Sequence, residues 1–372
     1  MKKASLRSAA FLALYYGVNA MYLGYVSKFY QQQGISQGAL TLLLLCFPVL
    51  SMVSMPFWGA RSDGSGRPRL VLQGIILLSA LLMPLLAKGH LLAACVALAC
   101  CYPAIQPLGD SLILHSLQEA KQPFGPVRLA GSLAFTAVNL LYGHLLRDDY
   151  SAVPWTVGAG LLGLLAVSFL LPKEKKVQRE KGSFREVLRL PHMIPLMLLV
   201  MLLQLTLGIY FNFYPLYFTA LPGADSGWLG VAYAVASLSE LPFLLRGDRI
   251  FDRFGPGPML LAAALCLGLR YLLMGLAGSM PLALAAQVLH GGGFIVISFA
   301  MAQYISRQAA PGIQARGQTL LAVAGFGFSR ACGVVLGGFL SAHMGLHAAF
   351  LLMAALALSS FCIFFPLLRR VR

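Results

Sequence analysis

Charged residues are scarce in this chain, because Asp, Glu, Lys and Arg together account for only 11% of its 372 residues. A soluble domain carries roughly a quarter of such residues, so the scarcity excludes an ordinary soluble fold. Hydrophobic residues reach 59% and are spread along the whole length, so no segment has the composition of a separate soluble domain. The alternating apolar pattern of membrane β-barrel strands is also absent, which leaves a helical membrane protein.

Motifs for metal binding and catalysis are missing as well. The seven cysteines lie in apolar stretches without paired C-x-x-C spacing, and we interpret them as small packing residues. No H-E-x-x-H motif occurs, and the eight-residue spacing of His290 and Ser298 matches no known nucleophile pair. We therefore expect no metal, no cofactor and no enzyme activity.

Long apolar runs dominate what is present. A helix needs about 20 apolar residues to cross a bilayer, where it satisfies its own backbone hydrogen bonds. Runs of that length predict an all-α membrane protein with about twelve spans, whose ends are placed to within about four residues. The predicted spans are 8–30, 39–60, 69–88, 90–118, 127–147, 152–172, 192–218, 227–247, 257–277, 281–307, 314–341 and 344–368.

The basic residues fall mainly on one side of these spans. With a cytoplasmic N-terminus, most of the 28 Lys and Arg lie in cytoplasmic segments, and only Lys28, Lys88 and Arg147 lie on the opposite side. This positive-inside pattern predicts a multi-pass inner-membrane protein with both termini in the cytoplasm. The net charge of +16 is thereby explained without a nucleic-acid partner.

A charged segment near the midpoint separates two similar halves. It covers 173–191, so we predict a cytoplasmic linker between six-helix bundles at 1–172 and 192–372. The halves repeat a short motif, since Asp252 and Gly255 follow Asp63 and Gly66 at one constant separation. Internal duplication of six-helix halves is a known transporter plan.

The first copy of this motif lies in segment 57–69, between predicted spans 2 and 3. Glycine permits a tight turn, and an aspartate can cap a helix or pair with a neighbouring cation. We therefore predict a cytoplasmic gate that latches the halves, although an ordinary charged loop has the same composition. The predicted gate residues are Gly59, Asp63, Gly66, Arg67, Asp252 and Gly255.

Charged residues inside predicted spans are functional candidates, because charge is costly in a bilayer. Glu240 lies in span 8, where burial disfavours its charged form, so it is our candidate for taking up and releasing a proton. The alternative is a structural carboxylate neutralised by Arg270 or Arg330. His290 precedes three glycines on span 10 and is either a proton relay or a structural interior histidine.

A second candidate pair and a set of polar and aromatic residues complete a predicted cavity. Asp110 and Arg128 flank the connection of spans 4 and 5 and are expected to pair, for substrate binding or for structure. Spans 1 and 7 offer aromatic walls and amides suited to a ring-bearing or sugar-like solute. Their candidates are Tyr16, Asn19, Gln204, Asn212 and Tyr214. Interfacial anchoring explains some tyrosines equally well, Tyr22 and Tyr217 above all.

The motifs resemble those of a known superfamily. Segment 57–69 is similar to the G-x-x-x-D…G-R signature of the major facilitator superfamily, with Gly64 where a basic residue is usual. The run Pro107-Leu-Gly-Asp-Ser-Leu and the later Phe124-Gly-Pro-Val-Arg-Leu-Ala-Gly-Ser-Leu-Ala-Phe135 resemble one branch of it. That branch holds phenylpropionate permease-like, nucleoside–proton symporter and lactose permease-like proteins, and the similarity covers nearly the whole chain.

The resemblance implies roles for several residues. Asp110 and Arg128 match an acid and an arginine that bind sugar in lactose permease-like relatives. Glu240, Arg270 and His290 match the residues that couple substrate to proton there.

The same resemblance exposes one departure. The lactose permease-like relatives carry a second acid one turn after the histidine, where this chain has Gly293. Coupling would therefore depend on Glu240, with Arg270 as its charge partner. In nucleoside symporter-like relatives, the span-8 acid and span-7 amides contact substrate, which fits Glu240 and Gln204.

These observations lead us to expect a secondary active transporter, a proton-coupled symporter for a small organic solute such as an aromatic acid, nucleoside or sugar. Its halves would rock around a midplane site. Its partners would be the solute, protons and the lipid bilayer, and we expect a monomer. The alternatives are a proton-driven efflux antiporter, a non-transporting sensor and an intramembrane enzyme.

Overall fold

The computed structural model describes residues 3–122, 124–171 and 183–371, and these residues form helices and turns without a strand. Within them, twelve helices are long and apolar enough to cross a membrane, which confirms the predicted multi-pass fold. Spans 1 to 12 are Ala4–Gln32, Gln37–Ser65, Pro68–Ala87, Leu91–Leu117, Gly125–Leu146, Tyr150–Ser168, Met193–Phe218, Ser226–Phe254, Pro256–Leu276, Met280–Gln308, Arg316–His343 and Gly345–Leu368. Most of the predicted linker 173–191 lies outside the described residues, and a short helix, Phe184–Leu188, precedes span 7.

Four spans are interrupted rather than continuous. Span 4 has a 3-10 turn at Tyr102–Ala104, and span 10 has one at Ala286–Leu289. Span 8 is divided into Ser226–Ser239 and Leu241–Phe254, because Pro242 lacks the N–H that would continue the helix. Span 11 contains a π-helical segment, Leu321–Phe328.

Contacts divide the chain into two units, Met1–Gln178 with Asp225–Ala234, and Arg179–Ala224 with Val235–Arg372. Within the first unit, span 1 packs on spans 5 and 6, span 3 on span 6, and span 2 on span 4. Within the second, span 7 packs on spans 11 and 12, span 9 on span 12, and span 8 on span 10. The same packing order in both units is the structural counterpart of the sequence repeat.

The start of span 8 packs with the first unit, although the sequence places it in the half 192–372. Close backbone packing explains this, since a Cβ at Gly230 would overlap the carbonyl oxygen of Asn139. The Asp148 carboxylate also accepts a hydrogen bond from the Ser226 amide at 2.8 Å. Span 8 therefore contributes residues to both units.

A glycine contact also joins spans 7 and 11 of the second unit. A Cβ at Gly333 would overlap the carbonyl oxygen of Leu205 and approach Gly208 at 3.1 Å. Because neither obstacle is a flexible side chain, the helices must move apart to accept a larger residue.

We predict that Gly333→Ala destabilises the protein by about 1–3 kcal/mol, the usual cost of overpacking a packed interior. Thermal unfolding in detergent should show a lower apparent melting temperature. Gly74→Ala is the matched control, because no atom lies within 4 Å of the Cβ position at Gly74. Equal melting temperatures of the two variants would contradict this account of the contact.

Candidate functional site

Glu240 and His290 form a buried pair in the second unit. Glu240 lies in the interruption of span 8, and its Oε1 is 3.4 Å from His290 Nε2. Their side chains are only 12% and 6% exposed, so water screens the contact weakly.

Gly291 determines how closely spans 8 and 10 approach at this pair. Its amide donates to Ser239 Oγ at 2.8 Å, and a Cβ on it would overlap the Ser239 carbonyl oxygen. The backbone contact places the first residue of the helix His290–Gln308 beside Glu240.

Arg270 is fully buried, and its hydrogen-bond partner is an amide rather than the predicted acid. Its Nη2 donates to Gln287 Oε1, and its Cζ lies 3.8 Å from the centroid of the Tyr210 ring. Among the described residues, no carboxylate lies within 4 Å of Arg270, and its Nε and Nη1 have no hydrogen-bond partner. The expected Arg270–Glu240 ion pair is therefore not formed, since the 3-10 turn of span 10 presents Gln287 to the guanidinium.

Sequence reasoning missed Gln287, which accepts from both Arg270 and the Tyr210 hydroxyl, the latter at 3.2 Å. Its own amide donates to the Ala283 carbonyl at 2.8 Å. The available signal was its place one turn before His290, since residues three apart share a helix face.

Arg330 is the second residue of the helix Ser329–His343, which follows the π segment of span 11, and it lies among aromatic rings. Its Cζ lies 5.0, 5.3 and 5.9 Å from the ring centroids of Phe211, Phe326 and Phe294. Its Nε donates to Gln204 Oε1 at 2.8 Å, and Gln204 is fully buried. Arg330 does not neutralise Glu240, which was one alternative drawn from the sequence.

The other span-7 candidates occupy different environments. Asn212 is partly exposed, and its Nδ2 donates to the Gly208 carbonyl of its own helix at 2.8 Å. Tyr214 is fully buried between Tyr210 and Phe218, with ring centroids 4.8 and 5.5 Å away. Tyr214 thus belongs to the packed aromatic core.

The tyrosines considered as interfacial anchors are also interior residues. Tyr22 and Tyr217 are each only 2% exposed. The Tyr217 hydroxyl donates to the Met274 carbonyl at 2.5 Å. Anchoring at the membrane surface therefore does not account for these two residues.

In the first unit, Arg128 stacks on Tyr16 instead of pairing with Asp110. Its Cζ lies 4.1 Å from the Tyr16 ring centroid, and the Tyr16 hydroxyl accepts from Gln106 Nε2 at 2.8 Å. No Asp110–Arg128 contact within 4 Å occurs, and Asp110 Oδ1 is buried without a hydrogen-bond partner in the described part of the chain. Gly131 permits the stacking, because a Cβ there would overlap the Tyr16 ring.

Asn19 of the same unit is nearly buried, and its Oδ1 accepts from the Tyr102 hydroxyl at 2.9 Å. Tyr102 opens the 3-10 turn of span 4. Asn19 therefore supports an interrupted span, as Gln287 does in the second unit.

The predicted gate residues lie in two helix ends. Span 2 continues to Ser65, so Gly59 and Asp63 are helical, and only Gly66 takes a left-handed conformation, with φ +64°. Arg67 is exposed at the following helix start. Span 2 therefore extends beyond its predicted end at 60, and its connection to span 3 is shorter than predicted.

The second copy of the motif makes an ion pair inside the second unit. Gly255 turns the chain with φ +76°, and Asp252 Oδ1 lies 2.5 Å from Arg307 Nη1. This pair joins the ends of spans 8 and 10. Both side chains are about half exposed, at 58% and 44%, so the pair contributes little to stability.

Comparison with known proteins identifies the family of this chain. The model of the MFS_1 like family matches residues 5–352 of the chain. The chain belongs to this family of the major facilitator superfamily. Its relatives are transporters and permeases, so this MFS_1 like protein is a membrane transporter and not an enzyme.

Individual relatives of the MFS_1 like transporter differ in what they carry. A maltose permease of Geobacillus stearothermophilus is 26% identical over 356 residues, which cover 93% of this chain and 90% of the relative. A probable 3-phenylpropionic acid transporter of Escherichia coli (strain K12) is 29% identical over 264 residues, 69% of each chain. The crystal structure of the nucleoside transporter NupG matches with a TM-score of 0.82 at 15% identity, covering 98% of this chain and 99% of that one. This likeness confirms the predicted major facilitator fold.

For the MFS_1 like transporter, we predict that Gln287→Leu lowers stability by at least about 2 kcal/mol, because it leaves the buried Arg270 without an acceptor. Gln287→Glu should retain or raise stability, since it supplies a counter-charge at the same place. Thermal unfolding in detergent compares both with wild type. If the Leu variant melts at the wild-type temperature, Gln287 does not hold Arg270.

Proposed function

We propose that this transporter is a proton-coupled symporter that takes up a small organic solute across the inner membrane by alternating access. Glu240 and His290 carry the proton. The observation that supports this proposal is their 3.4 Å contact inside the interruption of span 8, in a site nearly closed to water.

The pair has a definite place for an incoming proton. With a proton on Nε2, the neutral imidazole faces the Glu240 carboxylate, and Nδ1 holds the free lone pair. His290 Nδ1 is buried and has no hydrogen-bond partner among the described residues. Protonation changes the net charge of the pair from one negative charge to zero.

Packing at Gly293 supports the assignment to this pair. The resemblance to lactose permease-like proteins implies an acid at this position, but a Cβ there would overlap the side chain of Leu267. A larger residue at position 293 would require Leu267 to move, and the glycine itself supplies no second carboxylate, so Glu240 and His290 act without one.

The first unit offers a candidate surface for binding the solute. Arg128, Tyr16 and Gln106 present a cation, an aromatic ring and an amide together. Such a set suits a solute that combines a ring with polar groups. The relatives transport or are named for maltose, 3-phenylpropionic acid and nucleosides, so these define the first panel of solutes.

We predict that adding the transported solute to de-energised cells raises the external pH, because each solute molecule enters with a proton. Glu240→Gln should abolish this alkalinisation and uphill accumulation, while exchange of solute across the membrane persists. A pH electrode and radiolabelled counterflow measure the two quantities on the same cells.

The matched control is Glu119→Gln. Glu119 also faces a histidine, His115, at 3.5 Å, but its side chain is 68% exposed. This variant should retain alkalinisation. Uphill accumulation by the Glu240→Gln variant would exclude Glu240 as a proton carrier.

A further inference from the structure

The second unit carries more positive than negative charge at bilayer depth. Arg270 lies in span 9 and Arg330 lies in span 11. Away from the ends of spans 7 to 12, the one acid is Glu240 of span 8, which faces His290. Asp248 and Asp252 lie exposed near the end of span 8. An unpaired cation at such depth is costly, so a further anion would stabilise this unit.

Arg330 has donors available for that anion. Its Nε is used by Gln204, while its two terminal amino groups have no hydrogen-bond partner among the described residues. The side chain is partly exposed, and three phenylalanine rings hold the guanidinium. A planar guanidinium presented in this way matches the two oxygens of a carboxylate.

Gln204 is a second, independent sign of a missing ligand. Its side chain is fully buried, and its Nε2 lacks a hydrogen-bond partner within the described residues, although Oε1 accepts from Arg330. A buried amide left unpaired costs free energy, which an acceptor oxygen would recover.

We infer that the transported solute is an organic anion whose carboxylate binds Arg330 and Gln204, with its apolar body against Phe211, Phe294 and Phe326. Transport of this anion rests on the proposed function, whereas binding of the anion at Arg330 and Gln204 is independent of that function.

Two rings connect this anion site to the proton-carrying pair. The His290 ring lies 5.2 Å from the Phe294 centroid and 6.3 Å from that of Phe211. Both rings also contact Arg330. A proton on the Glu240–His290 pair therefore adds positive potential beside the anion, and each ligand raises the affinity for the other.

The test is equilibrium binding to the purified full-length transporter in detergent, by calorimetry. The probes are aromatic and aliphatic monocarboxylates, 3-phenylpropionate among them, each paired with its neutral carboxamide. Wild type should prefer at least one carboxylate over its carboxamide by at least about tenfold, the ratio expected of a charge-assisted hydrogen bond. Arg330→Gln should remove this preference, and Arg330→Lys should retain part of it.

Two further variants keep the test decisive. Gln204→Glu neutralises Arg330 from within the site, so it should also remove the preference even if Arg330→Gln does not fold. Arg369→Gln is the control, because Arg369 is exposed with its Cζ 5.6 Å from the Phe365 centroid, and it should bind as wild type does.

Failure of this inference and failure of the proposed function give different results. If no carboxylate binds better than its carboxamide, or if Arg330→Gln retains the preference, the anion site is excluded, even where a neutral solute still drives alkalinisation. If a carboxylate binds at Arg330 without alkalinisation in cells, the anion site stands and proton symport fails.

Discussion

A bilayer interior offers no hydrogen bonds to the chain, and this constraint organises the whole protein. It requires helices in every span, and it tolerates non-helical backbone only where protein or a water-lined cavity satisfies the freed groups. The interruptions of spans 8, 10 and 11 lie at or next to Glu240, Gln287, His290 and Arg330. Broken helices and polar side chains coincide because the freed backbone groups and the polar side chains both need hydrogen-bond partners within the protein. Interrupted helices therefore mark transport sites.

Glycines let the helices pack closely enough to position the residues of the site. Gly291 brings the backbone of span 10 against Ser239, and this contact sets the 3.4 Å separation of Glu240 and His290. Gly208 and Gly333 bring spans 7 and 11 together in the same way. Gln204 and Arg330 lie on these two helices near that contact. The chemistry of the second unit therefore depends on backbone contacts as much as on its charged residues.

The sequence predicted the spans well, because the length of an apolar run is a local property. It could not predict which groups pair. Arg270 bonds to Gln287 and Arg128 stacks on Tyr16, since pairing depends on helix rotation and on 3-10 turns that hydropathy does not reveal. The burial of Tyr217 could not be predicted for the same reason, because composition does not say which way a side chain points.

The glycine at position 293 also bears on the charge of the solute. In the resembling lactose permease-like proteins, the additional acid would offset one arginine and suit an uncharged sugar. Here that position is a glycine, so away from the ends of spans 7 to 12 Arg270 and Arg330 outnumber the one acid, Glu240. In the proposed symport, a proton taken up by the Glu240–His290 pair increases this excess of positive charge, and an anion that enters with the proton reduces it again. In the proposed mechanism, the absence of a second acid favours an anionic over a neutral solute and leaves the proton site in place, because coupling needs only a group whose charge changes beside the bound solute.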